Sequence, residues 1–200
     1  SYFELQPTID PDYMPVKWDE LRRKVANAVR TLEKNFWPEV TNSLRESEGL
    51  IHDSITDQLM SGLDENKEPL KPTYLDDPYF VETTKTPKAA RAKARWYKAM
   101  KESITPPRSS DILHLPPRDP NTPNLIIRGD YHASITPIVQ GGKDGGKIVT
   151  RSIGFYAGDD ALEKKYGPGH LGLTPEARAY LIEERVVPAL DKLFKKYGFK

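Results

Sequence analysis

The chain has 200 residues, of which 37% are hydrophobic and 30% charged, with 18 prolines, no cysteine and a net charge of +1. This length suits one domain with a true core, and the near-neutral balance excludes a whole-molecule field that would recruit nucleic acid or anionic lipid. Without cysteine there are no disulfides, thiolate nucleophiles or cysteine zinc sites. With a mean hydropathy of −0.65, no run approaches the roughly 20 apolar residues of a membrane span.

The first residues, Ser1-Tyr2-Phe3-Glu4-Leu5, lack the basic and apolar regions of a signal peptide, and Pro7, Pro11 and Pro15 punctuate an N-terminal arm over 1–15. The expectation is a soluble protein without a membrane partner. From Trp18 onward, Leu21, Val25, Ala28, Leu32 and Phe36 recur at steps of three and four, the signature of one helical face. Val40, Leu44, Ile51, Ile55 and Leu59 continue the rhythm to Gly62, so 18–61 reads as two helices, or one kinked at Pro38, closed by a helix-ending glycine.

Residues 63–82 are polar and acidic, with Asp64, Glu65, Glu68, Asp76, Asp77 and Glu82 among three prolines, and read as loop. Thr86-Pro87 then carries the cap and first-turn proline of a new helix over about 86–102. Lys85, Lys88, Arg91, Lys93, Arg95, Lys98 and Lys101 crowd this segment together with Trp96 and Tyr97, and 84–101 holds no acidic residue. That composition suits phosphate contacts without base readout. Its plainer reading is a solvated helix whose charges run around the axis and face the acidic loop. Six prolines between Pro106 and Pro123 make 103–123 an extended connection.

An apolar strand start is expected at 125–127. Alternation through Ala133, Ile135, Pro137 and Val139, a turn at Gly141-Gly142-Lys143-Asp144-Gly145-Gly146, and renewed alternation from Lys147 to Tyr156 predict a β-hairpin, with Pro137 favouring an edge or bulge. Asp159-Asp160 opens a short helix. Thr174-Pro175-Glu176 opens the last one, whose face carries Leu181, Val187, Leu190, Phe194 and Tyr197, with a kink at Pro188. The expected fold is α+β: one domain over 1–200, with N-terminal helices packed on a small antiparallel sheet and a long C-terminal helix.

Several motifs look chemical and are better read as structure. Gly167-Pro168-Gly169-His170-Leu171-Gly172 spells a dinucleotide-binding pattern, but a helical segment precedes it and Pro168 removes a donor, so a compact turn fits better. Gly141 to Lys147 resembles a phosphate loop yet lacks the Ser or Thr after Lys147 and leads into a strand. Arg128-Gly129-Asp130 falls at a strand entry, away from a loop tip. His52, His114, His132 and His170 show no metal-ligand spacing, and Asp159, Asp160 and Glu163 serve the helix start. No nucleophile or paired-carboxylate pattern is visible, so neither an enzyme nor a cofactor is expected; the remaining enzymatic option is a hydrolase whose carboxylates converge only in the fold.

The run Asn124-Leu125-Ile126-Ile127-Arg128-Gly129-Asp130-Tyr131-His132-Ala133-Ser134-Ile135 is followed by the Gly-rich hairpin, Lys164-Lys165-Tyr166-Gly167 and Gly172-Leu173-Thr174-Pro175-Glu176. In this order the segments resemble the tail-completion or virion-morphogenesis (neck or minor tail) proteins of tailed bacteriophages. In that pattern a Thr-Gly-Asp segment starts a sheet and a Gly-Leu-Thr cap leads to the last helix; here Arg128 stands at the Thr. Gln58-Leu59-Met60-Ser61-Gly62-Leu63-Asp64-Glu65-Asn66 followed by Pro72-Thr73-Tyr74 looks like the family's helix, glycine, polar turn and Pro-x-Tyr passage, so the resemblance runs from Ser43 to the end. It implies a virion subunit, made in the host cytoplasm, that forms a homo-oligomeric ring, of six copies by expectation, at the head-to-tail neck or tail end. Its implied partners are connector or portal-side and tail-tube proteins and, non-specifically, passing genomic DNA. Contacts would be made by Gly142, Lys143, Asp144 and Gly145 of the hairpin and by the basic helix. The alternative is a nucleic-acid-binding module that acts through that helix alone.

Overall fold

The structure, a computed structural model, describes residues 18–199; the N-terminal arm 1–15 lies outside the described residues. In chain order come α1 (Trp18–Arg45), α2 (Glu48–Met60), α3 (Pro78–Glu82), α4 (Pro87–Ile104), α5 (Asp130–Ser134), β1 (Ile135–Gly142), β2 (Gly145–Ser152), α6 (Ala161–Tyr166), α7 (Pro175–Leu181) and α8 (Val187–Lys196). A 3-10 turn, Pro168–Leu171, precedes α7, and a π-helical turn, Ile182–Val186, joins α7 to α8. The molecule is α+β as expected: N-terminal helices on a two-stranded antiparallel sheet, with a long helical C-terminus.

The 28 residues of α1 span about 42 Å. Pro38 lies inside this helix without ending it; the chain turns instead at Glu46–Ser47, where the Ser47 hydroxyl donates to the Ser43 carbonyl at 2.6 Å. A proline removes one backbone donor, and packing of this half of α1 against the hairpin and α8 offsets that loss. Helix α2 is the centre of the core: Ile51, Ile55 and Leu59 are fully buried against Leu70, Tyr131, Ile135, Val139, Leu171 and Leu181, each such side chain contributing about 1.5–3 kcal/mol.

Gly62 ends α2 with φ of +66°, and a Cβ there would lie 2.5 Å from Thr122 Cγ2 and 2.9 Å from the Pro123 carbonyl. This close approach docks the Pro-rich connection onto the end of α2. Asp57, one turn earlier, accepts from the backbone N–H groups of Asp111, Ile112 and Leu113 at 2.7, 3.1 and 2.8 Å. A segment without regular structure thereby satisfies its backbone from a helix side chain.

Four local expectations need correction. Residues 125–127 do not start a strand: Leu125 has φ of +59° and the chain enters the short helix α5 before β1 begins at Ile135. Arg128-Gly129-Asp130 therefore sits at a helix start, and Ala133 belongs to α5. The 63–82 loop contains α3, whose start is capped by Asp77 accepting from the Tyr79 N–H at 3.1 Å. The last helix is re-phased by its π turn, which inserts residues into the i→i−4 pattern; Val186 and Leu193 are buried while Val187 is 52% exposed. Helix α4 starts where its cap predicts, Thr86 Oγ1 accepting from the Ala89 N–H at 3.2 Å, and the hairpin forms in regular register from Ile135↔Ser152 to Gly142↔Gly145.

Candidate functional site

Six of the seven basic residues of the expected contact helix lie on α4, and Lys85 precedes it. Ala90, Ala94, Tyr97 and Lys101 follow one another at four, three and four residues on the inner side, where Ala90 and Ala94 pack on Phe80. Lys88, Arg91, Arg95 and Lys98 follow at three, four and three residues and form a stripe on the outer side. Lys85, Lys88, Arg91 and Arg95 are exposed. Lys98 reaches Glu102 at 3.7 Å, and Lys93 donates to Thr83 Oγ1 at 3.1 Å while lying 5.1 Å from the Tyr79 ring centre. None of the seven forms an ion pair with the acidic 63–82 loop among the described residues; Asp77 of that loop is taken by Lys165.

Lys101 is the clear departure: it is 1% exposed and cannot face DNA or a neighbouring subunit. Its ammonium donates to Asn124 Oδ1 at 3.0 Å, and Asn124 Nδ2 donates to Thr105 Oγ1 at 3.0 Å. Burial and then the Arg118 charge bring Lys101 down to about 8. Arg118, itself 4% exposed, donates to the carbonyls of Thr105, Thr122, Pro120 and Asp119 at 2.8, 3.0, 3.2 and 3.3 Å. Neither cation has a carboxylate partner among the described residues.

Lys101 lines a cavity of about 400 Å³ walled by Tyr74, Phe80, Tyr97, Tyr131, Phe155 and Tyr166. These aromatics come from five separate segments. Tyr74 and Phe80 precede α4, Tyr97 is on its inner face, Tyr131 belongs to α5, Phe155 follows β2, and Tyr166 ends α6. Ring contacts connect them: Tyr74–Tyr97 and Phe80–Tyr97 have centroids 5.5 Å apart, and Tyr131–Phe155 5.1 Å. At one wall Lys165 joins Asp77 and lies 6.0 and 5.5 Å from the Tyr79 and Tyr166 ring centres.

Two buried histidines brace this region as neutral rings. The carbonyl of Gly167 can only accept, so His170 Nδ1 carries the proton and Nε2 accepts from the Tyr131 hydroxyl. His132 Nε2 donates to the Asn124 carbonyl at 2.8 Å. Burial pushes His170 down and His132 to about 4. Tyr74 is the exception to this satisfied pattern: it is 4% exposed, its hydroxyl proton has no acceptor among the described residues, and burial pushes it up to about 12 against the Arg118 charge and the Asn124 backbone N–H.

The expected hairpin contact is placed differently from the pocket. Lys143 and Asp144 are exposed at the tip, while Gly142 and Gly145 are half-buried. Below the tip, a Cβ on Gly141 would lie 2.6 Å from Gly146 Cα and 3.0 Å from Thr41 Oγ1, so the glycine lets the hairpin press on α1. A second, apolar groove of about 640 Å³ runs between α1, β2 and the C-terminal helices, with Trp37, Val40, Ile148, Leu173, Ile182 and Leu190 along it. Among the described residues, no group of three or more His, Asp and Glu could hold a metal ion and no helix is long and apolar enough to cross a membrane.

The aromatic pocket was not visible in the sequence, because its rings sit in elements with no common period. The available signal was narrower: Lys101 shares the helical face of Ala90, Ala94 and Tyr97, which marks it as inward-facing. No family model, curated protein or solved structure matches the chain.

Proposed function

We propose that this protein is an assembly subunit of a tailed-phage virion, forming a ring at the head-to-tail neck or tail end through contacts between copies. The motif resemblance supplies the virion context. The observation that carries an assembly role is the exposed apolar stripe of α1: Leu21, Val25 and Val29 are 40%, 51% and 38% exposed on consecutive turns, and Trp37 beside the groove is 41% exposed. The same helix packs against the hairpin and α8, and its first turns, from 19 to 27, are exposed. Exposed apolar surface of this continuity marks association surfaces in soluble proteins.

The Leu21→Glu/Val25→Glu double variant tests this reading. Both sites are exposed, so its melting temperature is expected to match the wild type within a few degrees. In sedimentation equilibrium the wild type is expected to associate with rising concentration and the double variant to remain monomeric. Equal masses for the two proteins would remove α1 from the interface.

A second reading has its own observation: Lys88, Arg91 and Arg95 of the outer stripe, with Lys85 just before the helix, are exposed and without ion-pair partners among the described residues. Such a stripe lining a ring would meet DNA through phosphates only. Lys88→Glu/Arg91→Glu/Arg95→Glu is then expected to abolish salt-sensitive retention on DNA. Retention that persists in this variant would discard the reading.

A further inference from the structure

The aromatic cavity beneath α4 has a chemistry that assembly does not use. Its lining is mostly rings and aliphatic groups, with Asp77, Arg128, Asp130 and Lys165 among them, and it also includes two buried donors that are not fully matched, Tyr74 and Lys101. Among the described residues the buried Tyr74 hydroxyl donates to no acceptor, and the Lys101 ammonium, with three protons to donate, has one acceptor, the neutral Asn124 amide. Arg118, also buried, donates its own hydrogen bonds to backbone carbonyls. Of the two carboxylates that line the cavity, Asp77 is already engaged by Lys165 and the Tyr79 N–H, and Asp130 lies in the first turn of α5.

A buried cation is normally paired, because leaving it without an anion is strongly unfavourable. Here Lys101 lines an aromatic chamber without a carboxylate partner among the described residues, and the buried Tyr74, whose hydroxyl proton has no acceptor among them, lines the same chamber. We propose that this cavity binds a small aromatic carboxylate, its ring between Tyr97, Tyr131 and Phe155 and its carboxylate accepting from Lys101 Nζ and Tyr74 Oη. The volume of about 400 Å³ lies near the small end of the roughly 300–1,000 Å³ typical of small-molecule sites, which fits an acid with a single ring. Charge-assisted bonds of ammonium to carboxylate are about twice as strong as neutral ones, so the charged group sets the affinity and the rings set the shape. The depressed proton affinity of Lys101 is in keeping with an ammonium that lacks its anion.

The site is tested with 3-phenylpropionate as probe, by isothermal titration or by shifts of aromatic NMR signals. Its uncharged amide, 3-phenylpropionamide, and acetate serve as shape-only and charge-only controls. Saturable one-to-one binding of the acid is expected, with the amide and acetate weaker by roughly tenfold or more. Lys101→Met keeps the buried stem, removes the charge and is expected to weaken the acid by a similar factor. Tyr74→Phe deletes one oxygen from the cavity wall and is expected to fold as the wild type and bind several-fold more weakly, so the test stands even if Lys101→Met fails to fold. Absence of saturation with the acid, equal affinity for acid and amide, or Tyr74→Phe binding as tightly as the wild type would each overturn the proposal. The α1 double variant, monomeric or not, is expected to bind the acid unchanged, which separates this site from the assembly surface.

Discussion

Replacing Asp57 with alanine is expected to destabilise the protein by about 4 kcal/mol, one of the largest effects available to a single polar substitution here. Asp57 is 6% exposed on α2 and accepts three backbone N–H groups from consecutive residues of the Pro-rich connection. Hydrogen bonds to a charged acceptor contribute about 1.5–3 kcal/mol each, and the total is reduced because the released loop can rehydrate. Asp57→Asn retains one acceptor oxygen but turns an amide N–H₂ toward backbone donors, so an intermediate loss of about 2 kcal/mol is expected. Urea denaturation of the three proteins measures both values. A loss below about 1 kcal/mol for the alanine variant would mean that the connection is held by its other contacts.

The second large effect is loss of stability in mild acid. His132 titrates near 6.5 in the unfolded chain and near 4 in the folded one, chiefly because of burial, with the Lys101 and His52 charges acting in the same direction and its bond to the Asn124 carbonyl opposing them. Above 6.5 the ring is neutral in both states and its contribution is intact. As pH falls from about 6.5 toward 4, the unfolded state gains a proton that the folded state refuses, so stability declines through that window, by about 3 kcal/mol in all. His170 is displaced in the same direction, again by burial first. Denaturation midpoints taken across this range, with His132→Asn as reference, isolate the effect: the variant is expected to show a flatter profile. Parallel profiles would show that His132 accommodates its proton in the folded state.

The sequence patterns that proved reliable were those whose physics is local. Thr86 and Thr174 cap α4 and α7, each accepting an N–H three residues on, and the glycine-flanked Lys143-Asp144 turn closes a hairpin in regular register. Expectations failed where long-range packing decides the outcome. Pro38 leaves α1 whole because the hairpin and α8 hold it. The 125–134 stretch has strand-forming residues, but Tyr131 and His132 are pulled into buried bonds with His170 and Asn124, and the backbone winds into α5. Of the contact residues, Lys88, Arg91 and Arg95 of α4 and Lys143 and Asp144 of the hairpin tip are exposed. Lys101 is withdrawn because it follows Tyr97 by one helical turn on the inner face. The pocket itself joins residues from Tyr74 to Tyr166, a juxtaposition that no period in one element encodes.

The assembly reading places the exposed apolar stripe of α1 at the boundary between copies. Electron micrographs of the purified protein, averaged at concentrations where sedimentation detects association, test this most directly. Closed rings of one size, lost in Leu21→Glu/Val25→Glu, are the predicted result. Monomers alone at every concentration, with the wild type and the double variant indistinguishable, would contradict it.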